Sequence, residues 1–260
     1  MNHLILLSQL FLNPSLAQPS AGSPKIEDQF AELDNEVVLR FFDAVTGRPL
    51  ANAQIDFEGQ REYTDRLGAV RFQVPQDLPP SDYRTSVNIV KDGYLSVDIP
   101  VVFMAGSLWN NRFSVSSQLS SSKFRIVLDW GKKPRDLDAH LIKKNMDNQD
   151  VYHISFHDMK LHEDRARLDI DDKNGEGPET ITIKELDNSA NYRYFIHDYS
   201  NKSKKRSKDL SESKAHVSIY DERGLVRTFS VPYGETGVIW DVFEIRQGEI
   251  IPVNKLKNEP

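Results

Sequence analysis

The sequence predicts an all-β protein built from two β-sandwich domains in tandem. Short segments of alternating polar and apolar residues recur between turn-forming residues, and few windows carry the 3.6-residue period of a helix. A length of 260 residues suits two domains that each bury a core of their own. The serine-rich run SVSSQLSSS, residues 114–122, has little to bury and marks the predicted linker between the domains.

The first predicted domain covers residues 36–113. Its strands are expected at residues 37–42, 53–57, 69–74, 83–90 and 94–102, separated by Gly-containing turns and one proline-rich loop. The motifs VVLRFFDAVTGRPLANAQIDF and TDRLGAVRFQVP resemble the carboxypeptidase regulatory-like family of transthyretin-type sandwiches. The resemblance implies a small domain that spaces or presents another domain and has no catalytic role.

The second predicted domain covers residues 123–254 and leaves a short tail at residues 255–260. In its first strand, FRIVLDW, alternate side chains should face opposite sides, with Phe124, Ile126 and Leu128 on one of them. The next strand, residues 136–142, should place Leu137 and its alternate neighbours in the core. Its other face carries Asp136, Asp138 and His140.

Four segments of this second domain are spaced as in a known family: WGKKPRDLDAHL, RLDIDDKNGEGPETITI, YRYFIHDYS and VFEIRQGEIIPVN. Together they are similar to the YfaP-like domain of bacterial secreted and envelope proteins. The resemblance implies an extracytoplasmic β-sandwich, so the two domains are expected to be Ig-like or transthyretin-like. The polar positions shared with the family are Asp136, Asp138, His140, Asp172, Gly177, Pro178, Glu179 and His197.

The acidic residues of the second domain predict a calcium-type site. Carboxylates two residues apart on a strand lie roughly 6.7 Å from each other and repel by about 2.5 kcal/mol at an effective dielectric of 20. A cation would remove that cost, and glycine-rich turns can aim backbone carbonyls at it. The candidate ligands are Asp136, Asp138, Asp169, Asp171, Asp172 and Glu179, with His140 and His197 as neighbours outside the ligand shell.

Two other interpretations of the acidic segments remain open. Aspartates beside glycines often only cap turns, because their side chains accept hydrogen bonds from nearby backbone N–H groups. Alternatively, Asp138, His140 and Asp172 could hold a metal that activates water, as in metal hydrolases. An EF-hand is excluded, because alignment on Asn174 and Gly175 places isoleucines at its first and twelfth ligand positions. Carboxylates outnumber histidines here, which favours calcium over zinc.

Composition excludes several classes of function. The chain has no cysteine, which rules out disulfides, thiol catalysis and cysteine-zinc sites. Its net charge of -6 gives no general attraction to nucleic acid. No nucleophile elbow, phosphate-binding glycine loop or dinucleotide fingerprint is present, so no catalytic residue is assigned.

The N-terminal segment predicts a location outside the cytoplasm. Residues 4–12 are mostly apolar and are followed by small residues before Gln18, which is typical of a secretory signal spanning residues 1–17. Residues 18–35 are polar and predict a disordered leader. The protein is therefore expected to be periplasmic or secreted, and no other stretch is long and apolar enough to span a membrane.

Two further features suggest partners. The basic run NKSKKRSK, residues 201–208, is expected to form the extended loop of a hairpin, solvated or in contact with an acidic partner. The second feature is a set of aromatic residues whose exposed rings would stack on sugars: Tyr192, Tyr194, Phe195, Tyr199 and Trp240. The expected protein is thus a non-catalytic binding or structural module with an envelope protein or a glycan as partner. The alternatives are a metal-dependent hydrolase and an ion-free envelope scaffold or glycan-binding spacer.

Overall fold

The computed structural model describes residues 35–74, 82–104, 107–121, 123–159, 165–204 and 206–259. The predicted signal segment and all of the predicted leader except Asn35 lie outside the described residues. The protein is all-β, as predicted, and helical geometry in the described ranges is limited to a three-residue 3₁₀ turn, Tyr199–Asn201. Those ranges contain no helix with the length and apolar character needed to cross a bilayer.

The first half of the described chain forms two sheets. Their orders are β4-β1-β8 and β3-β2-β5-β6-β7, where the strands are β1 Glu36–Asp43, β2 Gln54–Phe57, β3 Gln60–Tyr63, β4 Ala69–Gln73, β5 Tyr83–Val90, β6 Val97–Met104, β7 Ser107–Leu108 and β8 Arg112–Val115. Alternate residues of strands from both sheets share one hydrophobic cluster, which includes Phe41, Phe57 and Phe103. We call this cluster the N-terminal core.

The second half also forms two sheets, β11-β10-β14-β17-β18 and β12-β13-β9-β15-β16. The strands are β9 Phe124–Asp129, β10 Leu137–Lys144, β11 Asp150–Ile154, β12 Arg167–Ile170, β13 Glu179–Ile183, β14 Asn191–Asp198, β15 His216–Asp221, β16 Gly224–Ser230, β17 Ile239–Arg246 and β18 Glu249–Lys257. Apolar residues of both sheets share a second cluster, the C-terminal core, in which Trp240 and Tyr194 are fully buried.

Strand β9 is buried on both faces. Phe124, Ile126 and Leu128 belong to the C-terminal core, as the alternation predicted. Val127 points the other way and belongs to the N-terminal core, where Tyr220 of the neighbouring strand β15 joins it. The outer face of one C-terminal sheet is therefore covered by the N-terminal half of the chain.

The described part of the serine-rich segment, residues 114–121, differs from the linker that its composition predicted. Its first residues belong to strand β8, which runs parallel to β1 and pairs Ser114 with Phe42. Ser114 is buried and bonds the carboxylate of Asp129 in β9 through its backbone N–H (3.0 Å) and its hydroxyl (2.6 Å). Serine is small and carries a hydrogen-bond donor, so it suits a tightly packed polar contact between the two halves.

The basic run at residues 201–208 does not join a hairpin, so that prediction is wrong. Strand β14 has β10 on one side and β17 on the other, which leaves no free edge for β15. Strand β15 pairs with β9 and β16 in the opposite sheet. The described residues of the run therefore belong to a connection that crosses from one C-terminal sheet to the other.

Gly177 is a point of close packing in the second half. It has a φ of +76°, and a Cβ there would lie 2.9 Å from both the Leu128 carbonyl oxygen and the Trp130 ring. Gly234 has a φ of +81°, and a Cβ there would meet no other atom within 4 Å.

We expect Gly234→Ala to lower the free energy of unfolding by about 1–2 kcal/mol, the penalty for a left-handed alanine. Gly177→Ala should cost about 1–3 kcal/mol more through overpacking.

Urea unfolding of the two alanine variants and the wild type checks this expectation. Equal losses of unfolding free energy in the two variants would contradict it, because the backbone penalty would then account for the whole effect and the contact with Trp130 would add nothing.

Candidate metal centre

Three elements bring carboxylates together at one end of the C-terminal core. Asp138 lies near the start of β10, Asp171 directly follows β12, and Glu179 begins β13. Each residue offers one oxygen, and these oxygens all lie within 4.8 Å of one another. Since β10 and β13 belong to different C-terminal sheets, the group bridges the two layers. We call these three residues the carboxylate group.

Glu179 is the most enclosed member of the group. It pairs with the core residue Leu128 across the β13–β9 ladder, so its side chain starts on the inner face of its sheet. One carboxylate oxygen, Oε2, accepts a 2.7 Å hydrogen bond from the Ala139 backbone N–H of the opposite sheet. Burial raises the pKa of Glu179 well above 4.5, and Asp171 and Asp138 raise it further although the Ala139 N–H opposes them.

Asp138 is 2% exposed, although it lies on the face of β10 opposite the core residues Leu137 and Ala139. The predicted separation of the two faces is present, but both are buried at this position. Burial raises the pKa of Asp138 to about 7, and the negative charges of Asp136 and Asp171 contribute to the rise. The environment therefore disfavours an uncompensated charge on this carboxylate.

Asp136 and Asp171 complete the acidic surroundings. Burial raises the pKa of Asp136, and the charge of Asp171 adds to the rise. Asp171 forms a 3.0 Å ion pair with Lys173 through Oδ2, which leaves Oδ1 without that partner. Lys173 is 58% exposed, so water screens its charge and it compensates the buried carboxylates only weakly.

Several buried carboxylate oxygens have no hydrogen-bond partner among the described residues: Asp136 Oδ1, Asp138 Oδ2, Asp169 Oδ2, Asp171 Oδ1 and Glu179 Oε1. Each such orphaned acceptor costs about 1–3 kcal/mol, and more when the group is charged. Native proteins satisfy nearly all buried polar atoms with protein, water or ions. Asp138, Asp171 and Glu179 each contribute one of these oxygens, so the carboxylate group is the candidate cation site.

The spacing of the carboxylate group suits a large divalent cation. Three atoms separated by at most 4.8 Å fit around a common centre at about 2.8 Å or less, close to the 2.3–2.6 Å of calcium–oxygen contacts. Magnesium requires about 2.0–2.1 Å with near-octahedral geometry. A small contraction around calcium would give the shorter contacts, and Asp136 and water would supply further oxygens.

Asp172 has a different role from the one predicted. Its Oδ1 accepts the Asn174 N–H at 3.1 Å and its Oδ2 accepts the Gly177 N–H at 3.0 Å, so both oxygens are used within the turn. Asp172 therefore caps the loop, as the alternative interpretation of the sequence anticipated for such aspartates. Gly175 lets this loop approach the backbone of Lys132, since a Cβ there would lie 2.9 Å from the Lys132 carbonyl oxygen.

Asp169 does not join the carboxylate group. It lies at a register shift between β12 and β13. Its Oδ1 forms an ion pair with Arg167 and lies 2.6 Å from the Arg167 Nε. The charge of Asp169 also acts on Arg125, whose guanidinium bonds Ser116 of the serine-rich segment. The six predicted ligands are thus divided between the carboxylate group, the adjacent Asp136, a turn cap and a separate ion pair.

The two histidines predicted as neighbours lie beside Asp138. His197 on β14 pairs with Asp138 across the ladder, and His140 lies two residues further along β10. One atom each of Asp138, His140 and His197 lie within 4.8 Å of one another. His140 stacks on Phe195 with ring centroids 4.6 Å apart. Burial lowers the pKa of His140 to about 3, with His153 and His197 contributing.

His153 is a neighbour that sequence reasoning missed. Its Nε2 lies 2.9 Å from His140 Nδ1, a hydrogen bond between two imidazoles. His153 lies on strand β11, Asp150–Ile154, whose register against β10 brings the two histidines together, and that register is a tertiary property. His157 follows the end of that strand and is exposed.

The aromatic set predicted as a sugar platform is largely internal. Tyr192, Tyr194, Phe195 and Trp240 are buried and cannot stack on a ligand from solvent. Tyr199 is half-buried and lies beneath the ammonium of Lys202 at 3.9 Å. Large rings supply much of the apolar area of a β core, which explains their burial.

Comparison with known proteins gives only distant likenesses. No family model matches the chain. No curated protein matches it either. A solved homologue of the telluride resistance protein TerD from Streptomyces coelicolor A3(2) aligns with a TM-score of 0.44 and 14% identity, covering 54% of this chain and 92% of its own. The protein of unknown function SAV2460 aligns with a TM-score of 0.38 and 14% identity, covering 53% and 92%. At these scores, no property of either protein is transferred to this chain.

The raised pKa of Asp138 predicts how stability depends on pH in the presence of chelator. Its folded-state pKa of about 7 exceeds the ordinary 3.8, so the folded state binds this proton more tightly than the unfolded state. Protonated Asp138 therefore contributes to the free energy of unfolding. This contribution is fully present below about pH 4 and is lost as the pH rises through 7. At about 1.4 kcal/mol per pKa unit, the loss amounts to a few kcal/mol.

Urea unfolding with chelator between pH 4 and pH 8 measures this loss. Asp138→Asn keeps a neutral side chain at every pH and should therefore lose less unfolding free energy across the range than the wild type. Asp92→Asn, at an exposed position, should follow the wild type. An Asp138→Asn variant with the full wild-type loss would contradict the assignment of the effect to Asp138.

Proposed function

We propose that the protein is a non-catalytic binding or structural module whose C-terminal half binds a calcium ion through Asp138, Asp171 and Glu179. Two observations carry this proposal: Asp138, Asp171 and Glu179 lie together, and each has a buried carboxylate oxygen without a hydrogen-bond partner among the described residues. A divalent cation would satisfy these oxygens and reverse the electrostatic cost of placing them together. Asp136 lies in the same electrostatic environment and is the fourth candidate ligand.

A structural role for the ion follows from the elements that it would join. Asp138 belongs to one C-terminal sheet, Glu179 belongs to the other, and Asp171 starts the glycine-containing loop between β12 and β13. An ion held by all three would fasten both sheets and this loop. The same loop reaches the N-terminal half, because Arg112 of β8 donates a 2.8 Å hydrogen bond to the Gly177 carbonyl. Calcium would therefore stiffen the contact between the halves.

The hydrolase alternative has less support. It needs Asp138, His140 and Asp172 around one metal, whereas both carboxylate oxygens of Asp172 are engaged by backbone N–H groups of its own turn. Release of Asp172 would break the cap of the loop. The carboxylate group, which contains no histidine, therefore favours an ion that orders structure.

The proposed module has two domains and lies outside the cytoplasm. The two pairs of sheets, each around its own hydrophobic core, support two β-sandwiches in tandem, of which the second carries the ion. The N-terminal apolar segment and the resemblance to YfaP-like and carboxypeptidase regulatory-like domains support a secreted or periplasmic protein with an envelope protein or a glycan as partner.

Calcium should stabilise the wild type. At a free concentration 100 times the dissociation constant, binding to the folded state alone adds about 2.7 kcal/mol. For a chain of this size, that raises the melting temperature by roughly 5–10 °C. Thermal melts of the full chain in chelator and in calcium measure the shift. Asp171→Asn and Glu179→Gln should lose most of it, because each removes a charged ligand.

Asp198→Asn is the matched control. Asp198 is buried, and its pKa is raised by burial to about 6, but both of its oxygens accept hydrogen bonds from Asn201. This variant should keep the calcium shift. In chelator, Asp171→Asn should melt no lower than the wild type, since it removes a carboxylate that repels Asp138 and Glu179. A wild-type melting temperature indifferent to calcium and chelator would reject the ion and favour an ion-free scaffold.

A further inference from the structure

We propose a second metal site, formed by Asp138, His140 and His197, that takes a divalent first-row transition ion such as zinc. It lies on the outer face of the sheet that contains β10 and β14, next to the carboxylate group. Asp138 and His197 are direct partners in the ladder, and His140 shares the face of Asp138 two residues away. One ligand atom from each lies within 4.8 Å of the others.

Two buried polar atoms of this site have no hydrogen-bond partner among the described residues. They are His140 Nε2 and Asp138 Oδ2, on residues that are 8% and 2% exposed. A purely structural histidine would explain the stacking on Phe195 and the hydrogen bond between Nδ1 and His153, but it would leave Nε2 unused. A metal ion gives this nitrogen and the Asp138 oxygen a common partner.

The donor set selects the kind of ion. Imidazole nitrogen suits zinc and other first-row transition ions, whereas calcium takes oxygen ligands. Ligand histidines usually hydrogen-bond through their second ring nitrogen, which fixes the ring orientation. His140 has this arrangement, because Nδ1 meets His153 Nε2 at 2.9 Å and Nε2 remains available. His153 is thus a positioning residue for His140.

The positive charges near this site do not prevent a cation from binding there. Lys202 acts on both His197 and Asp138, and Arg193 acts on His140. Lys202 is exposed, which screens its charge, and the Arg193 guanidinium is engaged by Asp241 and by the Phe195 ring. Asp138 supplies the opposite charge inside the site.

The second site goes beyond the calcium proposal and requires neither Asp171 nor Glu179. The two sites share only Asp138, and their remaining ligands differ. Their tests are therefore separable: substitutions of the histidines address the transition ion alone, and substitution of Asp171 addresses calcium alone.

Isothermal titration of the chelator-treated full chain with zinc alone, in calcium-free buffer, tests the site. We expect one zinc ion per chain, with binding weakened about 100-fold or more in His140→Gln and in His197→Gln. His153→Gln should weaken binding by roughly 10- to 100-fold, as for other hydrogen-bond partners of ligand histidines. Titration with cobalt should give a visible spectrum typical of nitrogen and oxygen ligands, which the His140→Gln and His197→Gln variants should lose.

Controls distinguish failure of this site from failure of the calcium site or of folding. His157→Gln changes an exposed histidine outside the group and should bind zinc like the wild type. His197→Gln should keep the calcium-induced rise in melting temperature, while Asp171→Asn should lose that rise and keep zinc. His197 is only half-buried, so its variant remains informative if His140→Gln fails to fold. Zinc binding that is absent, or equally strong in His197→Gln, would overturn the proposal.

Discussion

The hydrogen bond from the Ala139 backbone to the Glu179 carboxylate is the contact on which the candidate centre depends. It crosses from one C-terminal sheet to the other and places the Glu179 carboxyl group where the two layers meet. With Glu179 fixed there, simultaneous charge on Glu179, Asp138 and Asp171 is unfavourable, and the exposed Lys173 beside Asp171 compensates it only weakly. Desolvation of each group and repulsion between them act in the same direction, which is why the pKa values of Asp138 and Glu179 are raised.

The two halves of the chain are joined by buried polar contacts as well as by apolar packing. Asp129 receives two hydrogen bonds from Ser114, and the Thr180 hydroxyl donates to the Ala44 carbonyl. The outer face of β9 supplies Val127 to the N-terminal core. Arg112 of β8 also donates a hydrogen bond to the Gly177 carbonyl, so the loop between β12 and β13 contacts the N-terminal half.

Local patterns in the sequence predicted much of the fold because alternation is a local property. The two faces of β9 and β10 follow from the period of a strand, and the turn at Asp172 follows from the tendency of aspartate to cap backbone N–H groups. Strand β8 was not predicted, because it ends within the first two residues of the serine-rich segment and its parallel pairing with β1 is a contact between distant parts of the chain. The hairpin predicted around residues 201–208 is absent because β14 and β15, although consecutive in the sequence, belong to different sheets.

By itself, the sequence determined that the chain is all-β and that its carboxylates and histidines are concentrated in a few segments of the second half. Only the tertiary structure decided which of them meet: Asp138 with Asp171 and Glu179 on one side, and with His140 and His197 on the other. The reason is that strand register, the choice of sheet and the degree of burial are set by contacts between distant parts of the chain. A local pattern gives the face on which a side chain lies, whereas its partners come from the packing of the sheets.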